Sequence, residues 1–357
     1  MTRMLNGAPI REPYEPSTPE EARFDRSSDA WVLSRYREVS AALREPLLLQ
    51  ASAKTRKPTG GNVDLHKQLY DAVKKDMDRI GSAAWRLQIR EAMGGVLHGI
   101  KTRQDLDIVR DILQPWSVAT LAAVEGATPG SKRTATTLGR RLSYASPERG
   151  SQSPTAEVLA RMTDAVGNWQ AKRADRKLDQ LLQQGYFVSS KPMFLGLTQT
   201  LPGFLAKAWL ALLRHPDQMA LLIKKPSLAP VAAEELLRYA GTVHTVFRCA
   251  SARVKVGNIW VEEGQCMYLK IDSANFDPSE FDNPYRLDLT RQVSGHFALG
   301  AGVHSCVGAV LVRIACMILL PMIAECALAL DESRPIAWTC GSSLQWPLSI
   351  PARLAAS

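Results

Sequence analysis

The sequence predicts a mainly α-helical fold with a small β region. Residues 30–46 begin as a short strand and continue as an amphipathic helix, with Val39, Ala42 and Leu43 at helical spacing. An apolar run typical of a buried helix fills much of residues 307–330. Residues 251–291 instead consist of short apolar stretches between turn residues, which is typical of short strands. Two apolar stretches near the end of the chain, LAL and WPLSIPARL, predict terminal strands.

Length and composition predict a single domain. The chain has 357 residues, enough for a large core, and no stretch is long enough to link two separate domains. We therefore expect a surface N-terminal extension over residues 1–25, rich in proline and charge, and one domain over residues 26–357. The N-terminus lacks the apolar segment of a signal peptide, and charged residues and a proline interrupt the longest apolar run. These features predict a cytoplasmic protein without a membrane partner.

Cysteine usage and net charge further restrict the kinds of site and partner that the sequence predicts. Six cysteines are scattered without CxxC spacing, which argues against a zinc site and a disulfide framework, and fits a reducing cytoplasm. The net charge of +9 comes from basic residues spread among acidic ones, and no nucleic-acid-reading motif is present. We therefore expect no nucleic acid partner. A positive face that docks an acidic electron-transfer protein is the preferred interpretation of the charge.

A glycine-rich loop around one cysteine is the most informative stretch, at residues 296–313, HFALGAGVHSCVGAVLVR. Gly300, Gly302 and Gly308 allow close backbone approach, so the loop is suited to supporting a flat and bulky group. Cys306 falls at or just before the N-terminus of the predicted helix, where unpaired N–H groups favour a thiolate, the ligand that a soft metal prefers. The alternative is a loop before a core helix with a buried, inert cysteine.

The spacing GxGxHxCxG resembles the haem-ligand loop of the cytochrome P450 family. This resemblance implies a b-type haem with Cys306 as the axial thiolate ligand, which favours O–O cleavage. It also implies that His304 hydrogen-bonds a haem propionate. Leu299 stands where the family usually has an aromatic residue. The family's fold is a mostly helical triangular prism around haem with a small β region, in agreement with the helix-rich pattern.

Two further motifs resemble structural parts of this family. In EELLRYAGTVHTVFR, Glu235 and Arg238 match the family's ExxR pair. Arg286, in DNPYRLDL, would complete the triad by the same resemblance. A buried carboxylate between two guanidiniums is stable only when each charge is paired, so the resemblance implies a structural role for the triad.

Three arginines are similar to the family's propionate-binding residues. Arg248 follows Arg238 by ten residues, as the family's propionate-binding arginine does. Arg86 and Arg90 are four residues apart on the helix predicted over residues 82–99, and Arg86 replaces the family's usual histidine. Two guanidiniums can bind a carboxylate in bidentate fashion. A solvated helix face is the alternative for this last pair.

The segment AKAWLALLRHPDQ resembles the end of the family's long helix on the distal side of haem. Counting back from it places Thr200 at the threonine that assists proton delivery to dioxygen, with Gln199 in place of the usual acid. Gln199 cannot exchange a proton as a carboxylate does, so protons must arrive more slowly or through water, substrate or another side chain. Pro202 removes a backbone hydrogen bond and predicts a kink that widens a groove beside Thr200. A merely distorted helix is the alternative.

The substrate pocket is less well defined by the sequence. The 110-residue stretch from Arg90 to Thr200 is short for the family, so we expect a small or mobile roof, or one completed by a partner. The resemblance makes the following residues candidates for substrate contact: Gly196, Val243, His244 and Val246. For His244, a satisfied non-catalytic histidine is the alternative.

The resemblance implies a monooxygenase that inserts oxygen from O₂ into a small organic substrate of secondary metabolism, either free or tethered to a carrier protein. Because the chain contains no flavin or nicotinamide segment, electrons would come from a ferredoxin-type donor with its reductase. Two alternatives remain open. Gln199 is compatible with a haem-thiolate enzyme that uses peroxide or performs coupling or rearrangement. The short roof is compatible with a non-catalytic haem-binding or scaffold protein.

Overall fold

A computed structural model describes most of the two halves that flank the centre of the chain. The described residues are 4–5, 8–9, 18–51, 56, 71, 82–101, 103, 105–124, 196–339 and 343–355. The expected short roof falls largely on residues 125–195 and lies outside the described residues.

In the N-terminal half, the described residues include short strands and three α-helices. The strands are β1 (Met4–Leu5), β2 (Ala8–Pro9), β3 (Arg23–Asp25), β4 (Ala30–Leu33), β5 (Leu48–Gln50) and β6 (Leu106–Asp107). The helices are α1 (Tyr36–Arg44), α2 (Ser82–Ile100) and α3 (Gln114–Val124), and the π-helical segment Ile108–Leu113 leads into α3. Asp107 caps that segment, because its Oδ1 accepts hydrogen bonds from the backbone N–H groups of Val109 and Arg110.

The C-terminal half carries most of the helical core. A π-helical turn, Gly196–Thr200, is followed by helices α4 (Leu201–Arg214), α5 (Pro216–Lys224), α6 (Ala229–Ala240), α7 (Ile271–Ala274) and α8 (Ala309–Ala324). Two 3₁₀ turns lie at Pro226–Leu228 and Gly302–His304. The strands are β7 (Thr245–Ala250), β8 (Val254–Val256), β9 (Ile259–Val261), β10 (Cys266–Lys270), β11 (Leu328–Leu330), β12 (Ala337–Trp338), β13 (Pro347–Ser349) and β14 (Pro351–Leu354).

The largest described sheet has five strands in the order β3-β4-β10-β7-β5. Strand β10 runs parallel to β4 and antiparallel to β7, with Met267 opposite Arg248. The other described strands form one three-stranded sheet, in the order β11-β14-β6, and three two-stranded sheets, β12-β13, β8-β9 and β1-β2. Because β3 pairs with β4, the sheet includes residues 23–25, which the sequence had assigned to the N-terminal extension. The domain therefore begins earlier than the predicted residue 26.

The helices pack around a core that contains two fully buried tryptophans, Trp116 and Trp209. Helix α6 packs against α8 and α4, and α2 packs against α3 and α8. In α1 the side chains of Val39, Ala42 and Leu43 are buried against the sheet, as their spacing predicts. The mainly α fold with a small β region is confirmed.

One disulfide contradicts the expectation from cysteine spacing. Cys249 on β7 and Cys266 on β10 are directly opposite each other, with their Cα atoms 4.0 Å apart, and form a disulfide. The prediction was wrong because the two residues lie 17 positions apart in the chain, and only the strand register brings them together. Disulfides are rare in the cytosol, so the bond removes one observation that supported a cytoplasmic location.

Within the described part of the chain, no helix combines the length and apolar character that a membrane crossing requires.

Candidate functional site

Cys306 lies in a tight loop just before helix α8 (Ala309–Ala324), as predicted. Its backbone N–H donates to the Leu299 carbonyl oxygen at 2.7 Å. The Gly308 backbone N–H bonds to the Cys306 sulfur, and a Cβ atom on Gly308 would lie 3.9 Å from Sγ. The loop therefore holds the Cys306 backbone through Leu299 and the Cys306 sulfur through Gly308.

Glycine is required in this loop by conformation and by space. Gly300 and Gly302 have φ angles of +70° and +67°, in the left-handed region that residues with a side chain rarely adopt. A Cβ atom on Gly302 would lie 2.6 Å from the carbonyl oxygen of Leu43 in α1. The glycine pattern thus holds the Cys306 loop closely against α1.

The electrostatic environment of Cys306 differs from the sequence-based expectation. Burial raises the pKa of the Cys306 thiol, while the Gly308 N–H group and the Arg313 guanidinium oppose that shift. The predicted stabilisation of the thiolate by the helix N-terminus is therefore outweighed by desolvation. Coordination to a metal cation would reverse the balance, because a bound cation deprotonates a coordinating thiol.

A cavity of about 680 Å³ lies against the Cys306 loop. Its polar lining includes Glu234 and Arg313, which form a bidentate ion pair with N–O distances of 2.7 and 3.0 Å. Nε2 of His296 lies 3.1 Å from the Glu234 carboxylate. Burial alone would raise the pKa of Glu234, but the hydrogen bonds from His296 and Arg313 outweigh it and lower the pKa to about 2. None of the described lining residues comes from α4 or β7, so this cavity is not the space beside Thr200.

Glu235 and Arg238 form the ion pair that the ExxR spacing predicts. Both side chains are fully buried on α6, and two hydrogen bonds of 2.8 and 2.9 Å join the guanidinium to the carboxylate. Nη1 of Arg238 also donates to the carbonyl oxygens of Asn275 and Pro284, each at 2.9 Å. The pair therefore connects α6 to two positions in the following chain, Asn275 and Pro284.

The third arginine of this cluster is Arg291, and the choice of Arg286 was wrong. Nε of Arg291 lies 3.2 Å from Oε1 of Glu235, and its Nη2 donates to the Arg286 carbonyl oxygen. The Arg286 side chain is exposed. The same Glu235 oxygen accepts the backbone N–H of Asp288, so the chain turns there and returns Arg291 to the carboxylate. The Pro-x-Arg pattern alone does not predict this turn.

Arg248 lies on β7 and is 5% exposed. Its Nη1 donates to the Phe247 carbonyl oxygen at 3.0 Å, but its Nε has no hydrogen-bond partner among the described residues. Burial lowers the pKa of Arg248 to about 10. A buried guanidinium with free donors is costly unless an anion binds it, and a carboxylate has the matching geometry.

The other predicted cofactor-binding residues are less enclosed. Arg86 and Arg90 lie on the exposed side of α2, while Trp85 and Ile89 occupy its buried side. His304 is half-buried at the end of the Gly302–His304 turn. For all three, a role in binding a propionate stays a prediction.

The helix changes its hydrogen-bonding pattern just before Pro202, where the sequence predicts a kink; the kink itself stays a prediction. The π-helical turn Gly196–Thr200 gives way to α4, in which Pro202 is the second residue and needs no hydrogen-bond acceptor. Gln199 is buried and its Nε2 has no partner among the described residues, whereas Thr200 is exposed. Such π-helical turns often occur at functional sites, because they widen the helix locally.

Lys207 is a polar residue of this region that sequence reasoning missed. It is 1% exposed within α4, and its Nζ lies 2.5 Å from the Gly241 carbonyl oxygen and 3.1 Å from Nε2 of His244. The available signal was a single lysine inside the otherwise apolar run LPGFLAKAWLALL. The contact supports the satisfied-histidine alternative for His244. Of the other candidate substrate contacts, Val243 pairs with Leu344 in an isolated β-bridge, and Gly196 and Val246 are half-buried.

Comparisons with known proteins agree with the motifs. No protein-family model matches the chain. It is 26% identical over 333 residues to cytochrome P450 107B1 of Saccharopolyspora erythraea, a match that covers 83% of this chain and 82% of the relative. It is 27% identical over 345 residues to the 6-deoxyerythronolide B hydroxylase of the same bacterium, with 86% and 84% covered.

Solved structures show the same fold. The crystal structure of P450BioI in complex with a fatty-acid-ligated acyl carrier protein superposes with a TM-score of 0.74 at 18% identity, over 93% of this chain and 94% of that one. At this identity the likeness concerns the fold alone. Together with the curated relatives and the Cys306 loop, it identifies the chain as a member of the cytochrome P450 family and as an oxidoreductase of that family.

Proposed function

We propose that this protein is a haem-thiolate monooxygenase that inserts one oxygen atom of O₂ into a small organic substrate of secondary metabolism. The observation that carries the proposal is the buried guanidinium of Arg248. Its Nε has no partner among the described residues, so it is suited to binding an anion such as a haem propionate, in a fold that also contains the Cys306 loop. The named relatives, which include the 6-deoxyerythronolide B hydroxylase, support the reaction class.

The residues present fit haem b. Within the described residues, no three His, Cys, Asp or Glu side chains group as a metal site, which suits an iron held by a porphyrin and one protein ligand. Cys306 would ligate the iron, and Arg248 would hold a propionate, joined by His304, Arg86 and Arg90. When bound, haem supplies the activation of dioxygen, and the protein supplies orientation, proton delivery and the pocket.

Thr200 and Gln199 are the proposed catalytic residues. The exposed Thr200 hydroxyl can donate and accept a hydrogen bond, so it can pass a proton. The free Nε2 of Gln199 can orient a water or a substrate oxygen, but an amide does not release a proton at ordinary pH. We therefore assign proton transfer to Thr200 and water, and orientation to Gln199.

The substrate would contact the turn after α6 and the start of the π-helical turn. Val243, Val246 and Gly196 provide apolar surface there, with His244 at the edge. A substrate tethered to a carrier protein is one form to test, since P450BioI, a solved structure with the same fold, was crystallised with a ligated acyl carrier protein. The test below distinguishes a carrier-tethered substrate from a free small molecule.

A ferredoxin-type donor with its reductase would supply the electrons. The lining of the cavity beside the Cys306 loop includes Arg44, the Arg313–Glu234 ion pair and Val310, which is 53% exposed. Glu234 offsets the charge of Arg313, so Arg44 and the net charge of +9 of the whole chain are what would attract an acidic protein and increase the encounter rate. Salt should therefore slow reduction by the donor.

Peroxide-driven oxidation, coupling or rearrangement is the second candidate function. Gln199 favours it, because peroxide brings the protons that an acid at this position would otherwise deliver. The two functions differ in their source of oxygen and in their need for electrons.

The test is turnover of free and carrier-tethered substrates with isotopically labelled dioxygen, a reductase and a surrogate ferredoxin, compared with turnover on unlabelled peroxide. The proposal expects label from dioxygen in the product only when electrons are supplied. Gln199→Glu should accelerate this reaction and leave the peroxide reaction unchanged, whereas Thr200→Ala should consume dioxygen without forming product. Peroxide turnover without any electron-driven turnover would favour the second function, and no turnover in either arm would favour the non-catalytic alternative.

A further inference from the structure

Three polar side chains from three different elements meet beside the Cys306 loop. Glu234 is on α6, Arg313 is on α8, and His296 lies in the loop segment that leads to Cys306. All three line the cavity of about 680 Å³ that Cys306 also lines. These side chains therefore connect two helices to the loop at the position of the proposed iron ligand.

The hydrogen bonds of His296 define where its ring carries a proton. Nδ1 accepts the backbone N–H of Ala298 at 3.2 Å, so this nitrogen has no hydrogen of its own. The proton is therefore on Nε2, which lies 3.1 Å from Oε2 of Glu234 and donates to it. His296 is thus a neutral ring that links the loop backbone to the Glu234 carboxylate.

The Glu234 carboxylate in turn fixes the guanidinium of Arg313. Nε and Nη2 of Arg313 donate to the two carboxylate oxygens at 2.7 and 3.0 Å, a bidentate arrangement that sets the plane of the guanidinium. The hydrogen bond from His296 holds the same carboxylate from a second direction. One negative and one positive charge are therefore held at defined positions beside the loop.

The place of Arg313 on α8 directs its charge towards Cys306. The N–H of Ala309, the first residue of α8, donates to the Cys306 carbonyl oxygen at 3.2 Å, and Arg313 follows one helical turn later on the same face. Side chains of a helix lean towards its N-terminus, so the stem of Arg313 leads back over Ala309 towards the loop. Burial raises the pKa of the Cys306 thiol, and Arg313 opposes that rise.

Glu234 limits the effect of Arg313 on the sulfur. The Arg313 side chain is 42% exposed and that of Glu234 is 24% exposed, so solvent weakens the field of each charge without removing it. Together the two charges largely cancel at a distance. Removal of one partner should therefore change the electric potential at Cys306, with a sign that depends on which partner is removed.

We propose that the Glu234–Arg313 ion pair sets the electric potential at the Cys306 sulfur and thereby how readily the haem held there accepts an electron. The second part rests on the proposed function; the first part concerns the protein alone. Glu234 and His296 are positioning residues, because they act through Arg313. The affected step is the one-electron reduction of ferric to ferrous haem by the ferredoxin-type donor, and no bond to these residues forms or breaks in it. A positive potential near the sulfur stabilises the reduced, more negative state.

The first test needs no haem. Cys326→Ala and Cys340→Ala remove two other thiols, and the fully buried Cys316 is protected from reagents. Cyanylation then converts the Cys306 thiol of this parent protein into a thiocyanate, and mass spectrometry confirms the labelled site. The stretching frequency of the nitrile reports the local electric field without any change of protonation.

The two charge variants should move this frequency in opposite directions. Glu234→Gln removes the negative charge, and Arg313→Met removes the positive one. The double variant should return most of the way to the parent frequency. Lys255→Met, at an exposed lysine on β8 outside the cavity, is the control and should leave the frequency unchanged. Shifts of the same sign in both single variants, or no shift in either, would overturn the proposal.

His296→Phe separates charge from packing, because it breaks two hydrogen bonds and removes no charge. Its nitrile shift should be smaller than that of either charge variant. An equal or larger shift would show that packing controls the field at Cys306 and would refute the role of the ion pair.

The second test is the reduction potential of the haem-loaded protein, measured by spectroelectrochemical titration with dithionite and mediators. Glu234→Gln should favour the reduced state and Arg313→Met should disfavour it, each by at least about 3-fold in the equilibrium constant. Lys255→Met should match the wild type. A loss of structural support would act in the same direction in both variants, so equal signs would contradict the proposal.

The two tests distinguish this proposal from the proposed function. Haem-loaded protein in which neither the nitrile frequency nor the potential responds would refute the role of the ion pair alone. Protein that takes up no haem but shows opposite nitrile shifts would refute the proposed function and the link to electron uptake, and would support the effect of the ion pair on Cys306.

Discussion

Two groups of polar residues in this protein differ in how completely their hydrogen-bonding groups are paired. On α6, the buried Glu235 accepts hydrogen bonds from Arg238 and Arg291, and the neighbouring half-buried Glu234 accepts them from Arg313. On β7 and before α4, Arg248 and Gln199 are buried, but each has a nitrogen without a partner among the described residues. We call the first group the paired cluster and the second the open pair.

The difference separates support from function. A buried ion network whose members are all bonded fixes the relative positions of the elements that carry it. Buried donors without partners cost free energy unless a ligand binds them, so they mark where a ligand is held. The paired cluster therefore supports the Cys306 loop, and the open pair is the part of the fold that a cofactor and substrate complete.

The largest expected effect comes from breaking the paired cluster. Glu235→Ala leaves the guanidinium of Arg238 fully buried without its carboxylate, which should lower the free energy of unfolding by about 3–5 kcal/mol. Urea unfolding followed by circular dichroism measures the change. Glu263→Ala, at an exposed position, is the control and should leave the transition in place. Similar midpoints for the two variants would show that the cluster does not support the fold.

A smaller effect distinguishes the two candidates for the third arginine. Arg291→Ala removes a charged hydrogen bond to Glu235 and should cost about 1–3 kcal/mol, whereas the exposed Arg286→Ala should change stability by less than about 0.5 kcal/mol. The same unfolding experiment compares them directly. The reverse ranking would restore the assignment made from the Pro-x-Arg pattern.

The open pair should behave in the opposite way. Arg248→Met removes a buried cation that lacks a full set of partners, so the haem-free chain should be no less stable than the wild type. Haem affinity should fall roughly 10-fold, because a charged hydrogen bond to a propionate is lost. Arg253→Met, on an exposed arginine five residues later, should retain haem like the wild type. A destabilised haem-free chain with unaltered haem affinity would place Arg248 among the supporting residues instead.

The sequence predicted local features well and tertiary ones less well. Helical spacing correctly placed Val39, Ala42 and Leu43 on the buried side of α1, and the ExxR spacing correctly predicted the Glu235–Arg238 ion pair. Both predictions succeeded because each depends only on residues within one or two turns of a single helix.

The errors came from contacts that depend on how distant segments meet. The Cys249–Cys266 bond follows from strand register, and Arg291 reaches Glu235 through a turn at Asp288. The bonds of Lys207 to the Gly241–His244 turn require the packing of α4 against α6, which no local pattern encodes.

Ligation of haem iron by the Cys306 sulfur can be measured through the difference spectrum of the reduced, carbon-monoxide-bound protein. We expect the long-wavelength Soret band of a thiolate-ligated haem in the wild type and in Cys326→Ala, a control at another free cysteine, and its loss in Cys306→Ala. Retention of that band in Cys306→Ala, or wild-type protein that takes up no haem, would show that Cys306 is not the ligand.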